Sequence, residues 1–186
     1  MRKLVICLAV LVSAFAVKAE LRSSSDIAGM FILYVPNRIL DALDIFSISA
    51  SAGLQAGLEL RATRACDGGG RFGAAAEIAK DYNRQYGAGV INGWNTSFIC
   101  FAAEDTIVGP TTRWLKSYRY CASGIPLTTE KVYNIYTGPR DYWECSAEGS
   151  LLLGLRGALH PIEFFDFWAG LVFIDLKGDD LSLDDF

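Results

Sequence analysis

The chain has 186 residues, 52% hydrophobic and 20% charged, enough for one domain with a real core. Its 17 basic and 21 acidic residues give a net charge of −4 without any Lys/Arg cluster, which excludes a nucleic-acid-binding surface. No stretch beyond the first nineteen residues reaches the ~18 apolar positions that a membrane-spanning helix requires.

Those nineteen residues read as a secretory signal peptide. Arg2 and Lys3 precede an apolar run from Leu4 to Val17, and Val17-Lys18-Ala19 places small residues at −3 and −1 of a cleavage site. Cys7 opens the apolar run, so no lipoprotein signal follows from it. The mature domain is expected at residues 20–186. Cleavage removes three basic residues and no acidic one, leaving 14 against 21, a net charge of −7. Four cysteines remain, Cys66, Cys100, Cys121 and Cys145. An even count in an exported protein points to two disulfides, and a meander suggests Cys66–Cys100 and Cys121–Cys145. Without a CxxC spacing a zinc site is not expected.

Residues 20–29 are polar and Ser-rich, a loose leader. Pro36 at a first helical position, with Ile39, Leu40 and Leu43 opposite Arg38, Asp41 and Asp44, predicts a short amphipathic helix. Next, from Ser47 to Thr63, even positions are apolar without exception while odd ones are polar or Gly. That is a long strand of period two, bent at Gly53 and Gly57. "CDGGG" reads as a turn, and Gly68–Gly73 fits GxGxxG. The half-polar strand before it speaks against a dinucleotide site. A hairpin with its tip near "DYNRQ" follows, although "AAAEIAKDY" is also good helix material. "RWLKSYRYCAS" and "YNIYTG" look like strands, and alternation resumes from Trp143 to Leu153.

The closing segment changes period. His160 fits an N-cap, Pro161 the first helical position and Glu163 the third, a capping-box layout. Glu163, Asp166 and Gly170 make one narrow stripe on a helix otherwise covered by Phe164, Phe165, Phe167, Trp168, Leu171 and Val172. At ~21 Å to Ile174 that helix is too short to span a bilayer. Its natural seat is the apolar even-numbered face of the long strand, with its carboxylates meeting Arg61, Arg64 or Arg156. Asp175, Asp179 and Asp180 lack the ligand order of a calcium loop and read as a solvated tail.

"PNRILDALDIFSI", "GLELRATRA" and "GLRGALHPIEFFDFWAGLVFIDLKGDD" resemble a group of small exported bacterial envelope proteins of unassigned function. Their pattern is a Pro-Asn-Arg helix, a Gly-rich alternating strand and a closing Asn-Pro-x-Glu-x-x-Asp-Phe helix followed by Asp-x-x-x-Asp-Asp. Here His160 stands where the group has Asn. The resemblance implies an envelope location and no activity.

The expected fold is mainly β: an open, curved antiparallel meander of about six strands, with short N- and C-terminal helices packed on it. A closed membrane barrel needs at least eight strands. The expected function is that of an exported, non-enzymatic envelope protein in the periplasm or outer membrane. It would act by structure or by interaction with an envelope protein or a membrane surface. The alternative is binding of a lipid or other apolar ligand in a cleft between sheet and closing helix. Neither cofactor nor metal is expected. A reaction built on Glu163 and Asp166 would lack a nucleophile, and His160, the single histidine, has its capping role.

Overall fold

A computed structural model describes residues 24–172, 174 and 176–178. Residues 1–19, read from the sequence as a signal peptide, and Asp175, Asp179 and Asp180 lie outside the described residues. By internal contacts the chain divides into residues 1–37 with 180–186, and Arg38–Asp179. The second unit holds the whole sheet.

The fold is mainly β, with six antiparallel strands in one open sheet. They are β1 (Phe46–Thr63), β2 (Cys66–Asp81), β3 (Gln85–Ile99), β4 (Phe101–Pro110), β5 (Tyr118–Gly124) and β6 (Cys145–Leu159). Helix α1 (Ser24–Asp44) precedes them and α2 (Pro161–Gly170) follows. Strands β1 to β5 form a meander; β6 then returns to the far side of β1, giving the order β5-β4-β3-β2-β1-β6.

Local readings change in three places. Helix α1 begins at Ser24 and runs through Pro36, because a proline inside a helix forfeits one backbone hydrogen bond without forbidding it. Residues expected as a loose leader form its first turns. The β1–β2 turn is Arg64–Ala65, so the glycines of "CDGGG" belong to β2. "YNIYTG" is not a strand but part of the connection from β5 to β6, which contains a 3-10 turn at Lys131–Tyr133. The hairpin reading holds: "AAAEIAKDY" pairs as strand up to Asp81, opposite β3, with the tip at "DYNRQ".

The sheet is strongly coiled. Eighteen residues at ~3.3 Å each would make β1 about 59 Å long if straight. Yet adjacent residues of the β5–β6 connection reach both of its ends. Arg64 N donates to Tyr142 O at 2.8 Å just past Thr63, and Asp141 meets His160 at 2.9 Å beside Phe46, whose neighbour Ile45 accepts from His160 N at 2.8 Å. Only a strand curled around that connection satisfies both. The curl is accommodated along a glycine line: Gln55, Gly73 and Gly93 are successive partners across β1, β2 and β3. Gly73 and Gly93 have φ of +119° and +134°, and a Cβ there would lie 2.0 Å from Leu54 O and Asp105 O respectively. Beside this line the β1–β6 register shifts between Ala52 and Ala56. Side-chain-free positions let neighbouring backbones approach, so the sheet folds there.

The curl reverses the expected sidedness. The even-numbered apolar face of β1 is convex and exposed, not buried under α2; Leu54 is 81% exposed. Odd-numbered Ser47, Ser49, Gln55, Glu59 and Arg61 are the buried ones. Alternation identifies which residues share a face, but burial falls to the concave face, and here that face is polar. Helix α2 is inverted in the same sense: Glu163, Asp166 and Gly170 are buried, while Phe165 and Trp168 are exposed. Among the described residues an apolar core cluster is formed by three tyrosines, Tyr120, Tyr133 and Tyr142, packed edge to face between β5 and the crossing connection.

Candidate functional site

The concave face is a network of compensated charges. Glu144, on the crossing connection, accepts from Arg61 Nη1 at 2.7 Å and from Arg156 Nη2 at 2.6 Å and 2.8 Å. Arg61 also pairs with Glu59, which receives Asn95 Nδ2 from β3. A second cluster lies around Arg64. Its Nε donates to Tyr133 at 2.8 Å, Nη1 to Asp67 at 2.5 Å and Nη2 to Glu104 at 2.8 Å. Arg140 Nη1 reaches the other oxygen of Glu104 at 2.7 Å. Buried charges persist only when paired, and each of these has an opposite charge within hydrogen-bond reach, although Arg61 Nε and Asp67 Oδ1 make no hydrogen bond. Burial by itself would raise the Glu144 carboxyl; the guanidiniums of Arg156 and Arg61 overcome it and hold the group far below the carboxylate range. Between the clusters lies a cavity of about 80 Å³, lined by Glu59, Arg71, Glu77, Asn95, Glu148 and Arg156 among others. It is polar and below the ~300 Å³ of a typical ligand site.

The convex face is the opposite. Outward positions of β1, β2, β3 and β6 carry Phe, Ile, Leu, Val, Trp, Tyr, Ala and Gly with a few small polar residues. Among them only Lys80 is charged, at a strand end, where it donates to Asp44 at 3.0 Å and to Phe46 O at 2.9 Å. The exposed pair Asp105–Arg119 is confined to β4 and β5. A shallow groove of about 410 Å³ runs on this side between Ile48, Leu58, Leu60 and Leu155, over Ala147, Gly149 and Gly157.

His160 occupies the N-cap position of α2, with Pro161 next, but its ring makes no capping bond. It is fully buried and bridges the sheet to the crossing connection. Its Nδ1 lies 2.9 Å from Asp141 Oδ2 and its Nε2 2.7 Å from Ser47 Oγ, with Tyr82 alongside at 5.0 Å. A carboxylate can only accept, so Nδ1 donates to Asp141, and in the neutral ring Nε2 then accepts the Ser47 hydroxyl proton. The order Ser–His–Asp matches a hydrolase relay. However, Ser47 is 4% exposed, Asp141 2% and His160 0%, and Ser47 does not line the cavity. A nucleophile without room for a carbonyl beside it is a structural hydrogen-bond chain.

The acidic stripe finds a lysine, not the arginines expected. Glu163 accepts from Lys177 Nζ at 2.5 Å, and Asp166 accepts from Leu176 N at 2.8 Å and Lys177 N at 3.3 Å. Arg61, Arg64 and Arg156 are held by the two charge clusters instead. The four cysteines are free and exposed, so neither expected disulfide is present. Cys121 and Cys145 lie in β5 and β6, at opposite edges of the sheet, because β6 returns to β1 and breaks the rule that sequence neighbours pair. Cys66 and Cys100 adjoin the Asp67–Ile99 register pair and are thiols nonetheless. No group of three or more His, Cys, Asp or Glu suited to a metal occurs among the described residues.

Sequence reasoning missed Ser47, Glu59, Asp141 and Glu144. The signal for one of them was visible: Glu59 and Arg61 sit two apart on one face of a strand. No family model, no curated protein and no solved structure matches the chain.

Proposed function

We propose that this protein is an exported envelope component seated in a membrane through the convex face of its sheet, acting by structure or interaction rather than catalysis. The inversion of the sheet supports this reading. In water, each large apolar side chain on the outer face forgoes ~1.5–3 kcal/mol of burial while the charged inner face adds desolvation cost. Contiguous apolar patches beyond a few hundred Å² are rare on water-facing monomers. In hydrocarbon the first term changes sign, since the apolar residues then face lipid, while the ion pairs still face one another on the side away from it. No helix among the described residues is long and apolar enough to cross a membrane, so the contact falls to the strands. The cavity on the concave face is small and polar, which weighs against carriage of an apolar ligand there.

Fractionation tests the reading. Expressed with its own leader, the protein should begin at Glu20 by mass spectrometry, sediment with the outer membrane, resist alkaline wash and dissolve in detergent. Recovery as a monodisperse, detergent-free periplasmic protein would overturn it.

A further inference from the structure

We infer that helix α2 and the last turns of α1 lie in the headgroup boundary of one bilayer leaflet, fixing which end of the sheet meets that water interface. The inference rests on the membrane reading above and adds depth and sidedness to it. Both helices attach at the same end: Phe46 pairs with Leu159, and His160 N donates to Ile45 O at 2.8 Å. Helix α2 turns its carboxylates inward and leaves Phe164, Phe165, Trp168, Leu171 and Val172 exposed. Ile39 and Leu43 of α1 are exposed in the same way, while Asp41 and Asp44 are buried and paired with Arg84. These apolar stripes continue the convex face through Phe46, Ile48 and Leu159.

Ten residues of α2 rise only ~15 Å, so the helix cannot cross hydrocarbon, and one with a polar stripe on one side lies in the interface plane. Independent features mark the same level. Lys80, the one charge on the outward face of β1, β2, β3 and β6, is the register partner of Ile48 and of Tyr86. Tyr86 stacks on Trp114 at 5.2 Å, both about half exposed. A long-stemmed amine and amphipathic aromatics at one height are what a membrane–water boundary selects. Trp94, by contrast, lies mid-sheet between Phe72 and Asp105, at hydrocarbon depth on this reading.

The test uses the full mature chain in phosphatidylcholine vesicles whose acyl chains are brominated either near the glycerol end or near the methyl end. Two variants keep a single tryptophan, Trp94 or Trp168, the others being replaced by Phe; the wild-type chain compared with W168F and with W94F gives the same information by difference if a multiple variant unfolds. Trp168 emission should be lost more with shallow bromines, and Trp94 emission more with deep ones. Trp94 quenched with Trp168 untouched, or Trp168 quenched best by deep bromines, overturns the interfacial placement and leaves the membrane reading standing. If neither tryptophan is quenched, the membrane reading itself falls.

Discussion

The two faces of the sheet are made by the same strands and held by opposite physics. On the concave face Arg61, Glu144 and Arg156 gain their stability from specific partners held at fixed distances and directions. On the convex face Leu54, Phe72 and Leu153 touch the surroundings, and what they contribute depends on what those surroundings are. The difference teaches that the concave face determines the fold and the convex face determines where the fold can live. Substitutions on the first should therefore act in any medium, and those on the second only in lipid.

The largest effect is expected at Glu144. Glu144→Ala strips the shared carboxylate from two buried guanidiniums, and breaking a buried pair by removing one partner costs ~3–5 kcal/mol. Denaturant unfolding should show that loss in detergent and in vesicles alike. The same group predicts a pH dependence. Its folded-state pKa is depressed from the ordinary 4.5, so its stabilisation is complete above that value and is lost as pH falls toward the folded-state value. The unfolding midpoint should hold from neutrality to the carboxylate range and decline below it, and Glu144→Gln should flatten that part of the decline. A midpoint that rises on acidification would contradict the pairing.

A charge on the convex face should separate the media. Phe72 is central, flanked in register by Ala56 and Trp94. Phe72→Lys should cost ~2–4 kcal/mol in vesicles, the usual penalty for a cation facing mid-bilayer, and much less in detergent. Equal costs in both would mean that this face packs against protein. The glycine line between the faces comes next. Gly73→Ala places a Cβ against Leu54 O at a φ foreign to L-residues, a strain of ~1–3 kcal/mol that should raise the unfolding rate in either medium.

Strand alternation in residues 47–63, the Asp81–Gln85 hairpin tip and the Pro161 start of α2 were all legible because each is local: period two, turn residues, a fixed proline φ. The direction of the sheet was not. Ala50, Ala52, Ala56 and Ala62 suit either a closely approached core or a lipid-facing coil, and no local rule separates them. The buried hydrogen-bond chain beside the site was hidden for a related reason. Ser47, Asp141 and His160 are brought together by the coiling of β1 and the return of the β5–β6 connection across it, both of which are long-range events. The same return separates Cys121 from Cys145.

The smallest effect is expected where an ordinary reading of sequence places the largest. Phe165 is an aromatic on a helix apolar nearly all round, and as a core residue its truncation would cost ~3–5 kcal/mol. At 64% exposure it leaves no cavity when shortened, and surface changes away from specific contacts stay within about 0.5 kcal/mol. Phe165→Ala should therefore leave the melting curve in detergent where it is. What it should change is the hold on lipid, since the removed ring is apolar area withdrawn from the headgroup boundary. Vesicle flotation at rising urea should release the variant earlier than the wild type, with the sheet still folded by circular dichroism. A melting point lowered by a core-sized amount would instead show that α2 is covered by protein, and the inverted surface would end at the strands.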